Sequence, residues 1–443
     1  MKRNFYAVFT QLVVLIFSLL FQVNAQDSVQ ARQYINQLTS PEMHGRGYAY
    51  RGDSIAADYI RKQFKRIGLQ PFASEDYYNR YSFDCYAMEG PVAAALNGQS
   101  LLPWQQFSFA SYSASANGTY TLLPISAEKV VDTLALRKFC KKNQALIEHA
   151  LLYVDMEKCK DAEAKRQLQR FFYRLSQYNG QWPFKGFVVG VQYIPVWSFN
   201  AAHQENSYVL AYLKNDCKVH NKSKLTLHCD NTFKHYETQN VCAIIRGSEV
   251  PDSLVIIGGH YDHLGQMGDE VLFAGAHDNA SGTAAVLDMA QYFKTHAPRY
   301  TTIFVLFSGE EAGLLGSQHF VRDSLFDFSK VKLMLNMDLM CGGDDGFTVV
   351  NSDGEHTKAF YQSLVDRNQE WQRVKKVAPR KNANISDHAP FVLNGMPAVF
   401  IYTMGGKTGG YHQPDDTSEN ASLNCYYDIM NLLIWGVKSV MGD

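Results

Sequence analysis

Two things missing from this chain narrow its function before any motif is read. It has no CxxC pair: the eight cysteines, at 85, 140, 159, 217, 229, 242, 341 and 425, are scattered. That argues against a cysteine zinc site and leaves disulfides possible, with connectivity a sequence cannot supply. It also has no charge excess, with Lys+Arg at 42 against Asp+Glu at 43. Nothing in that balance favours nucleic acid or an anionic membrane as a partner. No run after the first 25 residues reads as a transmembrane helix. Glycine and proline are unremarkable in frequency, and a hydrophobic content of 46% permits a large core.

The start of the chain carries an address. Lys2 and Arg3 precede the apolar stretch 12–21, and Val23-Asn24-Ala25 supplies small residues before Gln26. This is the pattern of a signal peptide over residues 1–25, cut after Ala25. Its apolar core is too short to span a bilayer comfortably, and with the first cysteine at 85 there is none at the cut to carry a lipid. The expectation is an exported protein, periplasmic or extracellular, with no stable membrane insertion. Its length suits about two to three domains.

Beyond the signal, 29–38 reads as a helix, followed by a turn at Ser40-Pro41-Glu42 and by Gly45-Arg46-Gly47. A second helix carries Ile55, Ala56, Tyr59, Ile60, Phe64 and Ile67 on a stripe and stops at Gly68. From 86 to 236 the texture changes to short alternating segments, many aromatics and a charged helical stretch near 157–174. Segments 187–191 and 194–197 look like buried strands. This region reads as an inserted, β-rich α/β domain between 26–85 and 237–443. Regular alternation resumes at Asn240, with strands at 241–245, 254–257, 302–307, 331–337 and 398–402. Helices are expected at 283–293, 314–321, 359–368 and 423–440. Such alternation argues for an α/β fold with a mainly parallel sheet flanked by helices.

Metal-type side chains sit in five short segments of this second half. They are His260-Tyr261-Asp262-His263, His277-Asp278-Asn279, Glu310-Glu311, Asn336-Met337-Asp338 and Tyr411-His412-Gln413. The first, third and fourth follow apolar strands, at the carboxyl ends where ligands bind in open α/β sheets. Imidazole and carboxylate together suit Zn²⁺, and a shared carboxylate can hold two such ions around one water. Singly, each has a bland explanation: Asp278 a helix cap, Glu310 and Glu311 a solvated helix start, Asp338 a strand-end turn. Together, in this order, they read as one site.

These segments resemble the M28 family of zinc-dependent peptidases, which includes bacterial aminopeptidases. The likeness covers 240–417 and an N-terminal stretch from Leu38 to Leu69. The insertion is matched only faintly, by a texture at 186–194 like a protease-associated domain. The resemblance implies a zinc-exopeptidase fold and two Zn²⁺ ions, one held by His260 and Asp338, the other by Glu311 and His412, with Asp278 bridging. It implies Glu310 as general base and acid, Asp262 orienting His260, and Tyr411 steadying the oxyanion. The expected substrate is a peptide with a free N-terminus. One departure is visible: His277 stands where the family commonly has an acidic residue, and intact metal binding is still expected because Asp278 is retained. His263 is expected to support its loop, Asp415 and Asp416 to fix that of His412. Ser386-Asp387-His388 resembles a family segment lining the site, expected to support it or touch substrate; three consecutive residues cannot form a serine triad. Two alternatives stay open: a single-zinc glutaminyl cyclase, which tends to carry Trp before the last histidine, and a non-catalytic binding module, which would have lost a ligand or Glu310.

Overall fold

The structure is a computed structural model that describes residues 28–199 and 204–442. The expected signal peptide, residues 1–25, lies outside the described residues. Among them, no helix is long and apolar enough to cross a membrane.

The sheet that positions the site is built from β1 (Tyr78–Leu96), β2 (Lys224–Ile245), β3 (Val250–His260), β4 (Tyr300–Phe307), β5 (Val331–Met337), β6 (Gly346–Val350), β7 (Val377–Arg380) and β8 (Ala398–Met404). Their order across the sheet is β7-β6-β8-β5-β3-β4-β2. The central pairs β3/β4, β3/β5 and β5/β8 are parallel, whereas β2 joins β4 antiparallel and β6 joins β8 antiparallel. This is the mixed, mainly parallel sheet that the alternation implied. Its centre is buried on both faces: Val255, Ile257, Phe304, Leu306, Leu335 and Val399 belong to one apolar cluster, and Ile256, Ile303, Val305 and Met334 to another on the opposite face. A strand buried on both sides reads as a continuous apolar run, which is why these strands were legible.

Helices Gly52–Ile67, Ser281–Thr295 and Tyr426–Met441 cover the first face. In Gly52–Ile67, Ala56, Ala57, Ile60, Phe64 and Ile67 are buried, and Gly68 ends the helix in the left-handed region at φ 85°. Ile55, counted on the stripe from sequence, is partly exposed instead.

The segment read as an insertion forms its own parallel strands, Ala116–Pro124, Ala150–Asp155, Gly186–Val191 and Val209–Lys214. Helices Thr133–Lys142 and Ala162–Tyr173 pack with them in a separate apolar cluster. It is carried on the antiparallel ribbon of β1 and β2, in which Cys85 faces Lys234 and Phe83 faces Tyr236. Both expected boundaries, near 85 and 236, therefore lie side by side on one ribbon, and the sheet runs on through β2 into Ala116–Pro124. Residues 194–197 are not a strand; Pro195 has no N–H to give a ladder, and Val209–Lys214 pairs with Gly186–Val191 instead. All eight cysteines are free thiols.

Candidate metal centre

Four carboxylates and two imidazoles converge at the carboxyl end of the sheet. His260 closes β3, Glu310 and Glu311 follow β4 after a tight turn at Gly309, and Asp338 follows β5. Gly309 has φ 71°, and a Cβ there would lie 2.3 Å from the Tyr81 hydroxyl. Asp278 lies in the turn just ahead of helix Ser281–Thr295. His412 stands in the long loop after β8.

The distances define two groups that share one carboxylate. His260 Nε2 lies 3.3 Å from Asp338 Oδ1 and 3.5 Å from Asp278 Oδ1. His412 Nε2 lies 3.3 Å from Asp278 Oδ2 and 3.2 Å from Glu311 Oε2. Tetrahedral ligands at zinc–donor bond lengths stand about 3.3 Å apart, so each set of donors already has the edge lengths of a coordination shell. His260 Nδ1 faces the main-chain carbonyl of Asp262 at 3.1 Å. A carbonyl only accepts, so the ring proton sits on Nδ1 and the Nε2 lone pair faces the carboxylates. Among the described residues, Asp338 Oδ1 is buried without a hydrogen-bond partner, which an ion would satisfy. The residues fit two divalent cations of the zinc type.

Further contacts hold these groups in place. Ser386 donates to Asp338 Oδ2 at 3.1 Å and accepts from Asn336 at 2.8 Å. His388 turns away to Asn382, so no serine triad forms. The Asp262 carboxylate accepts the N–H groups of Glu310 (3.2 Å) and Glu311 (3.4 Å) and the Tyr48 hydroxyl (2.8 Å). Its Oδ1 is 3.8 Å from His260 Nδ1, so it acts on that ring at longer range than its own main-chain carbonyl does. His263 donates to Glu311 Oε1 at 2.9 Å, leaving Oε2 toward His412. It could also share an ion with Asp278 and Glu311, but the short hydrogen bond assigns it to aiming Glu311. Asp416 reaches across to accept from the N–H groups of His277 (2.8 Å) and Asp278 (3.0 Å), while Asp415 accepts from Gly410 within its own loop. The His277 ring accepts from the Cys341 N–H, and burial lowers its pKa; it therefore puts no charge beside Asp278.

The protein's own field treats the two adjacent glutamates oppositely. Burial raises the Glu310 carboxyl well above the usual range, and the charges of Glu311, Asp387 and Asp338 add to it against the opposing His260. Burial would raise Glu311 too, but hydrogen bonds from His263 and His412 outweigh it and hold Glu311 low. Burial would depress His412, yet its bonds to Asp278 and Glu311 lift it to about 10. Tyr411 stacks on His412 with ring centroids 3.8 Å apart and remains largely exposed.

Sequence reasoning passed over the function of Arg46. Its side chain is 0% exposed, and its guanidinium donates to the carbonyls of Tyr261, Leu38, Ala274 and Gly275 at 2.6–2.7 Å. One buried cation thus ties the segment after His260 to the segment before Asp278. Burial brings its pKa down to about 10, resisted by Asp416, Asp278, Asp262 and Glu311. The Gly45-Arg46-Gly47 signal was visible, but not what it bound.

Residues 240–434 match the model of peptidase family M28. A probable zinc metalloprotease of Pyrenophora teres f. teres is 36% identical over 115 residues, 24% of this chain and 24% of that protein. An aminopeptidase of Pseudomonas aeruginosa is 23% identical over 351 residues, 75% of this chain and 60% of that one. The chain therefore spans between a quarter and 60% of the length of these relatives. The solved structure of a zinc aminopeptidase from Bacillus subtilis shares the fold across 93% of this chain and 95% of its own, at TM-score 0.66 and 18% identity.

Proposed function

We propose that the chain is an exported di-zinc aminopeptidase that releases N-terminal residues from peptides. The observation that carries this is Asp278, whose two carboxylate oxygens face two different imidazoles at ligand-to-ligand distances. The family match of 240–434 supports a metallopeptidase, the naming of relatives as aminopeptidases supports the free N-terminus, and residues 1–25 support export.

In this reading His260 and Asp338 would hold one ion, Glu311 and His412 the other, and Asp278 would contribute to both. Two zinc ions, when bound, polarise the scissile carbonyl and make a water acidic enough to attack it near neutrality. Glu310, buried and with a raised proton affinity, takes the proton from the attacking water and delivers it to the leaving amine. Glu311 is held ionised by His263 and keeps to binding. The Tyr411 hydroxyl, at the open side of His412, donates to the developing oxyanion. Asp262 fixes the main chain of Glu310, so the base is held on a rigid strand end.

The deciding experiment is metal analysis of the purified protein with turnover on aminoacyl-nitroanilides, free and N-acetylated. Two zinc equivalents and cleavage of only the free-amine substrates are expected. One zinc equivalent with no cleavage would refute the reading.

A further inference from the structure

We propose that the aromatic cleft of the inserted segment, whose Trp104 reaches the His412 loop, is a subsite for an apolar or aromatic side chain in the second to fourth residues of the peptide substrate. The proposal rests on the aminopeptidase reading for its substrate class. An exopeptidase that takes the first residue leaves the rest of the chain outside the metal centre, at about 3.3–3.6 Å per residue. That remainder must lie along a wall of the site.

The inserted segment supplies such a wall, joined to the centre at two points. Trp104 donates its indole N–H to Gln413 Oε1 at 3.2 Å, one residue from His412. Phe199 packs on Tyr48 with ring centroids 4.7 Å apart, and Tyr48 donates to Asp262. Between these points Trp104 and Trp197 stack at 15°, each meeting Phe273 edge-on. They line a cleft of about 360 Å³ together with Tyr112, Tyr173, Val196 and Tyr212. Among the described residues, no charged side chain lines it. Tyr173 and Val196 turn 67% and 50% of their surface to solvent, so apolar area stands there uncovered. Trp197 is only 6% exposed, yet its indole N–H has no acceptor among the described residues; buried donors are rarely left so. A neutral, aromatic cleft beside the metal centre fits an uncharged side chain and excludes a charged one, which would lose its hydration without a partner.

The test uses the zinc-loaded full chain and two pentapeptides with N-terminal leucine, one with phenylalanine at positions three and four, the other with serine there. Hydrolysis of each is measured, and binding of their N-acetylated forms is followed by tryptophan fluorescence. The phenylalanine peptide is expected to have a KM about fivefold lower than the serine peptide, and its acetylated form to bind with matching preference. Tyr173→Ala and Val196→Asp, both at exposed positions, should each erase most of that preference. Equal KM and equal binding for the two peptides, or a preference untouched by both substitutions, would overturn the subsite. Aromatic-selective binding without hydrolysis of either free peptide would uphold the cleft while removing the aminopeptidase reading.

Discussion

At the residue scale the lesson lies in two glutamates that neighbour each other in sequence and differ in every contact. Glu311 has both oxygens engaged, by His263 and by His412. Glu310 faces His260 and Asp338 without a hydrogen bond to either, within the reach of a shared ligand. Adjacent residues leaving a strand point in different directions, and under the proposed function that alone separates base from ligand. Glu310→Gln should keep two zinc equivalents and lose about 10²–10⁴-fold in kcat; metal content and turnover on one preparation check this, and full activity would remove Glu310 from the mechanism. Asp278→Asn takes charge from the carboxylate that faces both imidazoles, so zinc bound after dialysis should fall toward one equivalent or none. An unchanged metal content there would sink the bridging role. Both residues, and the other four in the cluster, were readable because each follows an apolar strand or opens a turn. His263 and Asp416 were read only as loop supports, since nothing in a linear sequence says that one aims Glu311 and the other reaches the amides of the Asp278 turn.

At the element scale, the site depends on loops being tied to strand ends. Arg46 performs that tie with four carbonyl acceptors from three segments. Arg46→Met would keep much of the volume and leave those buried carbonyls without donors, at a cost of about 4 kcal/mol or more. A thermal melt should show a drop of many degrees, together with weakened zinc retention. If Arg46→Met melted like the parent, the brace would be no more than packing. Helix Gly52–Ile67 makes a second link. Asp53, fully buried, accepts hydrogen bonds from Tyr236 and Thr238 of β2, and Thr238 in turn meets Ser308 ahead of Glu310. Burial outweighs those bonds and raises its pKa to about 6. A carboxyl whose folded pKa is raised favours the fold below its unfolded value, near 3.8, and that contribution is lost as pH rises through 6. Its full span is roughly 3 kcal/mol. Asp53→Asn should therefore gain on the parent in melting temperature between pH 5 and pH 7. A gap between the two that stayed constant across that range would refute the assignment.

At the scale of the whole molecule, a cluster of carboxylates is buried where the mainly parallel sheet, the helices around it and the inserted segment meet. Asp262, Asp278, Glu311 and Asp338 are all buried or nearly so, and such charges are tolerable only when paired or coordinated. Bound zinc should thus stabilise the entire fold by mass action. Chelation is expected to lower the melting temperature by about 5 °C or more, restored by added Zn²⁺. A melt indifferent to chelator would mean the cluster is neutralised by protons.

The sequence by itself determined the mainly parallel sheet, the order of its central strands along the chain and the positions of the metal-type residues. Strands buried on both faces must be continuously apolar, and ligands at their carboxyl ends must follow directly. It did not determine that 194–197 would stay out of the sheet, because whether Val209–Lys214 outcompetes it for Gly186–Val191 is a pairing between distant segments. The burial of Arg46, the reach of Asp416 to the amides of the Asp278 turn and the contact of Trp104 with Gln413 were likewise decided only in three dimensions. Each joins residues more than 130 positions apart, and contacts of that range leave no periodicity or spacing in the chain that makes them.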